Sequence, residues 1–136
     1  MRKPSKKTTL RGAAILAAAL ALPALNATAA QAIDWNHTMH TDDGDPGGRV
    51  RFKAYGDIVE ICDIEADGWA VEVIVENGDD YWDNFTVGGN GNCKTHRASN
   101  GHDLKEGEAY YFTVGLSKTS GGYKYFVYTD TDIWLA

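Results

Sequence analysis

The chain has 136 residues, with 13 Lys and Arg against 19 Asp and Glu and a formal net charge of −6 at pH 7. Nucleic acids and anionic lipid surfaces are bound by basic patches, so we expect neither as a partner of this acidic chain.

The first 32 residues predict a secretory signal peptide. A basic start that ends at Arg11 precedes an apolar run over residues 12–25 and two small-x-small sites that end at Ala29 and Ala32. This order of regions is typical of exported chains, and the apolar run is shorter than the roughly 20 residues that span a bilayer. We expect cleavage after Ala32, with Ala29 as the alternative, and an extracellular protein without membrane association. Cleavage after Ala32 leaves 8 Lys and Arg against 19 Asp and Glu, a net charge of −11.

The remaining chain predicts a flexible acidic N-terminal arm over residues 33–48 and one folded domain over residues 49–136. Within the domain, apolar residues recur at every second position, which is the period of a β-strand with one buried face. Asn77-Gly78 and Ser120-Gly121-Gly122 predict turns between strands. We expect an all-β antiparallel sandwich of about seven strands, near residues 49–55, 58–64, 69–76, 81–87, 109–116, 123–129 and 133–135, with residues 88–108 irregular.

A local pattern ahead of residues 109–116 favours an immunoglobulin-like sandwich. Leu104, Gly107 and Tyr110 place a leucine, a glycine and a tyrosine just before an inward-alternating strand. This resembles the tyrosine corner of immunoglobulin-like domains, in which the tyrosine hydroxyl caps the loop that enters the strand. The pattern predicts a fold and carries no information on function.

Cys62 and Cys93 are predicted to form a disulfide, because an even pair of cysteines in an exported chain is most simply paired. Closing a loop of this length stabilises the fold by about 3–4 kcal/mol on the chain-entropy model. Since a paired cysteine is not a nucleophile, we do not expect thiol catalysis.

An acidic stretch that ends in Gly68 is a calcium candidate. Asp63, Glu65 and Asp67 match positions 1, 3 and 5 of a calcium loop, but position 12, where a glutamate is needed, is Ile74. A strand that runs into an Asp-Gly turn explains the same residues, with Asp63 and Glu65 pointing to solvent, and we favour it. A calcium-stabilised module is kept as an alternative. The arm holds a second candidate group, Asp42, Asp43 and Asp45.

The histidines are weighed as zinc ligands, which must converge in threes or fours. His37 and His40 lie three residues apart in the arm, and His96 and His102 lie in the irregular region. We expect all four to be surface residues, with no bound metal and no cofactor.

Hydrolytic chemistry is weakly represented in the sequence. Ser99, His102 and Asp103 have the residue types of a catalytic triad, but they lie too close in sequence to meet in triad geometry. Acidic residues that alternate with apolar ones are expected on a solvated sheet face rather than in a glycosidase pair. A small secreted hydrolase that uses acidic residues is kept as an alternative.

The aromatic residues give the leading functional prediction. Exposed rings stack on sugars or anchor protein partners. We therefore predict a monomeric, non-catalytic binding module for an extracellular protein or glycan. The residues expected to face solvent are Tyr55, Trp82, Tyr111 and Tyr128, and the candidate binding surface comprises Tyr55, Trp82, His96 and Arg97.

The stretch over residues 48–57, followed by Cys62-Asp63 and Ala66-Asp67-Gly68, resembles a group of small secreted proteins of actinobacteria. Their shared pattern is an F-x-x-Y-G-D step, a hydrophobic strand, a D-x-x-A-D-G turn and one or more disulfides. The resemblance implies a secreted β fold and an actinobacterial source. It implies no activity and no catalytic residues.

Overall fold

A computed structural model describes residues 32–78 and 80–136, which form two antiparallel β-sheets. The described residues contain eight strands: β1 (His37–His40), β2 (Gly48–Lys53), β3 (Ile58–Asp63), β4 (Ala70–Glu76), β5 (Trp82–Gly88), β6 (Cys93–His96), β7 (Ala109–Ser120) and β8 (Tyr123–Leu135). A short 3-10 helix, η1 (Ala98–Asn100), lies between β6 and β7. Sheet A has the strand order β1-β2-β3-β6, and sheet B has the order β5-β4-β7-β8. The predicted all-β sandwich class is confirmed.

The core lies between the two sheets and is built from alternate residues of their strands. Phe52 of sheet A and Phe112 of sheet B meet with ring centroids 4.8 Å apart. The indole of Trp134 packs against Phe112 at 4.5 Å. The inward phase predicted for β2, β4 and β7 is confirmed by the burial of Val50, Phe52, Val71, Val73, Val75, Tyr110, Phe112, Val114 and Leu116.

The predicted disulfide between Cys62 and Cys93 is present. The two cysteines lie opposite each other on β3 and β6, so the bond joins neighbouring strands of sheet A. It closes a loop with a sequence separation of 31, which contains β4 and β5. The bond therefore fixes where the chain returns from sheet B to sheet A.

The connection between β6 and β7 is anchored by buried contacts. The Tyr110 hydroxyl accepts a hydrogen bond from the Lys105 backbone N–H at 2.8 Å, which is the contact that the tyrosine-corner pattern predicts. Leu104 is buried, and its N–H donates to the Asp57 carboxylate at 2.9 Å. Burial raises the pKa of Asp57, although this hydrogen bond acts in the opposite direction. The connection is thereby tied both to β7 and to the turn between β2 and β3.

The flexible arm predicted over residues 33–48 is wrong, because residues 37–40 form β1 and pair with β2. Met39 is buried in the core. The Thr41 hydroxyl oxygen accepts a hydrogen bond from the Gly48 N–H at 3.0 Å, which closes the turn between the two strands. A four-residue strand with one core side chain is too short to show an alternating pattern.

The solvent-facing orientation predicted for Asp63 is also wrong. Ile61 points into the core, so its neighbour Cys62 lies on the outer face of sheet A. Asp63 is consequently buried, at 2% exposed, whereas Ile64 is 39% exposed. The disulfide and the Arg49 guanidinium, 3.5 Å from the Cys62 sulfur, bury Cys62 on the outer face.

Glu72, expected on a solvated face, is buried on the outer face of sheet B. Its Oε1 accepts hydrogen bonds from Asn84 Nδ2 and Lys124 Nζ, both at 2.6 Å. The ring of Phe126 lies over Gly115, the residue opposite Glu72 on β7. A buried carboxylate is tolerated here because it is paired and hydrogen-bonded.

Two strand boundaries differ from the prediction. Residues 88–108, expected to be irregular, contain β6 and η1. β8 is one strand of 13 residues rather than two short ones. A bulge between Val114 and Leu116, near which Tyr128 has a φ of 51°, lets β8 continue past this point.

Among the residues that the structure describes, no helix has the length and apolar character needed to cross a membrane. Residues 1–31 of the predicted signal peptide lie outside the described residues.

We expect Tyr110→Phe to lower the free energy of unfolding by about 1–2 kcal/mol, because it leaves the part-buried Lys105 N–H without its acceptor. Urea denaturation measures the change. Tyr111→Phe is the matched control, since this neighbouring tyrosine is 47% exposed on the other face of β7. The control should change stability by less than about 0.5 kcal/mol. Equal losses in the two variants would contradict a specific contribution from the Tyr110 hydroxyl.

Candidate functional site

Three large side chains cross the outer face of sheet B in one row, which we call the apolar row. Trp82 on β5, Tyr111 on β7 and Ile133 on β8 lie in register through Glu76 on β4. The three are 62%, 47% and 52% exposed, respectively. Because neighbouring strands are about 4.8 Å apart, the row spans about 14 Å. Leu135, which is 61% exposed, continues it along β8.

The strand phase explains why these side chains face outward. Val75, Tyr110 and Trp134 are buried in the core. Successive side chains of a strand point to opposite faces, so the next or preceding residue on each strand lies on the outer face. The apolar row is therefore a consequence of the core pattern, not of a local irregularity.

Two carboxylates lie at or near the β4–β5 end of the apolar row. Glu76 lies within the row, and the exposed Asp80 precedes Trp82 in the loop between β4 and β5. The Glu108 carboxylate, just before β7, is already paired, since Asn77 Nδ2 donates to it at 2.9 Å and Lys105 Nζ lies 3.5 Å away. The row thus combines exposed apolar area with two acidic neighbours.

The predicted binding residues do not form one surface. Tyr55 and Arg97 lie on neighbouring segments, since the Ala98 N–H donates to the Gly56 carbonyl at 3.1 Å. Trp82 instead belongs to the apolar row on the outer face of sheet B. The predicted solvent exposure is confirmed for four aromatic residues, Tyr55, Trp82, Tyr111 and Tyr128.

His96, the fourth predicted binding residue, meets His102 at the carboxylate of Asp83. The Asp83 Oδ2 lies 2.8 Å from His96 Nδ1 and 2.9 Å from His102 Nδ1. The two imidazole rings stack with centroids 3.7 Å apart, and Phe85 stacks on the other side of His96 at the same distance. These histidines are half-buried members of a cluster, rather than the surface residues expected from the sequence. The cluster has side chains of a kind that hold metal ions.

Asp83 is not among the site residues predicted from the sequence. Its position on β5, two residues before Phe85, could have indicated that it faces inward. Phe85 is buried, so Asp83 shares the inward face of β5 and Trp82 does not. An inward-facing aspartate on a strand needs a partner.

Burial, together with the Asp83 carboxylate, raises the pKa of Tyr81 to about 12.

His37 and His40 do not converge on a common site. Residues three apart on a strand point to opposite faces, and both histidines lie on β1. The His37 ring stacks on Trp134 with centroids 4.9 Å apart, whereas His40 is exposed.

The two separate calcium candidates come together in the structure. Carboxylate oxygens of Asp43, from the loop before β2, and of Glu65 and Asp67, from the loop after β3, all lie within 4.8 Å of one another. Asp63 of the predicted calcium loop is not in this acidic cluster. The predicted calcium loop is flanked by the strands β3 and β4 rather than by helices, as the strand-and-turn interpretation predicts. Loss of hydration and nearby carboxylates, Asp45 and Asp67 foremost, raise the pKa of Glu65.

A polar cleft of about 470 Å³ lies between β1 and β8 and is lined by His40, Asp42, Asp130 and Asp132, among others. A hydrogen bond from the Trp134 indole at 2.9 Å, with a second from a backbone N–H, lowers the pKa of Asp132. A general acid needs a raised pKa, so Asp132 is unsuited to that task. The hydrolase alternative stays a prediction.

No protein-family model, curated protein or solved structure matches this chain. The resemblance to secreted actinobacterial proteins stays a prediction.

We expect Glu65→Gln to raise the melting temperature at pH 7. The pKa of Glu65 is higher in the folded state than in the unfolded state, so the folded protein binds this proton more tightly. Protonation of Glu65 therefore stabilises the fold at low pH, and this stabilisation is lost as the pH rises and the carboxyl ionises. The gain in the variant should therefore vanish below about pH 4, where the wild-type carboxyl is protonated in both states. Thermal melts across this pH range measure the difference.

Asp34→Asn is the control for Glu65→Gln, because it removes the same charge from an exposed residue outside the acidic cluster. An equal gain in both variants would show that total charge is the cause, rather than repulsion within the cluster. The same melts with Ca²⁺ and with chelator test the calcium-stabilised module, and identical melting temperatures would exclude it.

Proposed function

We propose that this protein is a secreted, non-catalytic binding module that binds an extracellular protein through the outer face of sheet B. The apolar row of Trp82, Tyr111 and Ile133 is the observation that carries the proposal. Large contiguous apolar areas are uncommon on the surface of monomeric proteins, and tryptophan and tyrosine are enriched among the residues that dominate binding energy. Export is supported by the disulfide, which forms and persists in oxidising compartments.

We also propose that the sandwich is immunoglobulin-like. Sheet B consists of the hairpins β4–β5 and β7–β8, and β4 pairs with β7 at its centre. The chain crosses between the sheets three times, from β3 to β4, from β5 to β6 and from β6 to β7. The Tyr110 hydroxyl bond at the entrance to the penultimate strand is the further supporting feature. In such sandwiches, an exposed sheet face is rigid enough to serve as a preorganised binding surface.

The side chains of the row favour a protein over a glycan. A sugar ring stacks on an aromatic face while its hydroxyls bond to polar groups nearby. Ile133 and Leu135 offer aliphatic surface without a hydrogen-bonding group, and together they are comparable in exposure to the aromatic members. Aliphatic and aromatic residues side by side are typical of the centre of a protein interface.

The charges around the row specify the partner's chemistry. Glu76 and Asp80 present carboxylates there, and the chain has a net charge of −6. A two-fold dimer through this face would bring the carboxylates of one copy towards those of the other. The expected partner therefore has an apolar patch bordered by Lys and Arg, and salt should slow its association.

The test is capture of secreted proteins from the culture medium of the producing organism on three immobilised baits. The baits are the wild type, the variant Trp82→Ser with Tyr111→Ser, and the variant Tyr55→Ser with Tyr123→Ser. The control pair removes aromatic residues that are 86% and 73% exposed outside the row. We expect a basic protein to be retained by the wild type and the control but not by the row variant. After purification, its affinity for the row variant should fall at least about tenfold by calorimetry.

Three results would overturn the proposal. The first is a partner that the row variant retains as well as the wild type does. The second is retention on insoluble polysaccharide that is lost in the row variant, which would assign the surface to a glycan. The third is a concentration-dependent dimer of the wild type that the row variant abolishes, because this would assign the face to a second copy. Near-UV circular dichroism of each bait confirms that the substitutions leave the fold intact.

A further inference from the structure

The side chains of Asp83, His96 and His102 bring three potential metal-ligand atoms together. Both histidine Nδ1 atoms face one carboxylate oxygen, at 2.8 and 2.9 Å. In a tetrahedral site with bonds of about 2.0–2.1 Å, ligand atoms lie about 3.3 Å apart. The two Nδ1–Oδ2 distances are about half an ångström shorter than this, so binding an ion requires these atoms to move apart and the stacked imidazole rings to turn towards the ion.

The cluster is also sheltered from solvent. The side chains of Asp83, His96 and His102 are 16%, 14% and 28% exposed, respectively. Phe85 covers one side of the His96 ring, and the two imidazole rings are within 21° of parallel. The Nδ1 atoms of both rings lie on the side of Asp83.

The three side chains are held by separate, ordered segments. Asp83 is on β5, and His96 ends β6. The chain then reverses through η1, where the Arg97 N–H donates to Asn100 Oδ1 at 2.9 Å and Gly101 has a φ of 96°. The His102 N–H donates back to the Arg97 carbonyl at 3.2 Å, which returns His102 to the side of His96. The backbone positions of the three residues are thus set before an ion arrives, and rotation of the side chains completes the site.

We propose that Asp83, His96 and His102 form a binding site for a divalent transition-metal ion, best represented by Zn²⁺. Two imidazole nitrogens and one carboxylate oxygen are donors that suit Zn²⁺ and its first-row neighbours, whereas Ca²⁺ and Mg²⁺ favour oxygen ligands. Three protein ligands leave a fourth position for water or for a donor from a partner. The site is independent of the apolar row, because Asp83 and Trp82 point to opposite faces of β5.

Isothermal titration calorimetry of tag-free protein with Zn²⁺ tests the proposal, after removal of bound metal by chelator. We expect one Zn²⁺ to bind per chain, and Ca²⁺ to give no comparable heat. His102→Gln and Asp83→Asn should each weaken Zn²⁺ binding at least about tenfold. His40→Gln is the matched control, because it removes an exposed histidine outside the cluster. Co²⁺ in place of Zn²⁺ should give the visible absorption of a site with few ligands, and His102→Gln should abolish that absorption.

Zn²⁺ uptake that is unchanged in both His102→Gln and Asp83→Asn would overturn the site, as would the absence of stoichiometric uptake by the wild type. Loss of uptake in His40→Gln would place the ion on β1 instead. Near-UV circular dichroism in chelator shows whether each variant is folded. His102→Gln lies in a connection outside the strands, so it keeps the test valid if Asp83→Asn unfolds the chain.

Discussion

The anchoring of the connection between β6 and β7 is the constraint on which the arrangement of this molecule depends. The connection crosses from sheet A to sheet B and enters β7, the strand that pairs with both β4 and β8. Burial of Leu104 and two hydrogen bonds, to the Asp57 carboxylate and the Tyr110 hydroxyl, hold it in place. A loop of 12 residues would otherwise lose much conformational entropy on folding without compensating contacts.

Residues of both proposed sites lie next to this anchorage. On one side, the hydrogen bond from the Lys105 N–H to the inward-pointing Tyr110 fixes where the connection meets β7, next to Tyr111 of the apolar row. On the other, it places His102 beside His96 and against Asp83. The disulfide fixes the preceding crossing, from β5 to β6, and so brings β6 to the edge of sheet A that faces Asp83. The proposed binding face and the proposed metal site therefore use one scaffold without sharing residues.

Strand phase could be predicted where apolar alternation is long, as in β2, β4 and β7, since burial of one face alone explains it. Strand phase could not be predicted where a side chain is buried on the outer face of a sheet by an interaction with a residue distant in sequence. Cys62 is buried there by its disulfide, and Glu72 by Lys124, which lies 52 residues away in sequence. The candidate sites were harder still, because they depend on which strands are neighbours. Alternation indicates that Trp82 and Asp83 face opposite ways, but not that His96 lies across from Asp83.

Amide hydrogen exchange measured by NMR tests the central claim that this connection is anchored. The Leu104 and Lys105 amides lie outside any strand, yet each donates to a fixed side-chain oxygen. The account predicts that both exchange as slowly as the paired amides of β7, within about tenfold, because they open only when the sandwich does. Exchange as fast as that of Gly121 and Gly122, at the exposed tip of the β7–β8 hairpin, would contradict it.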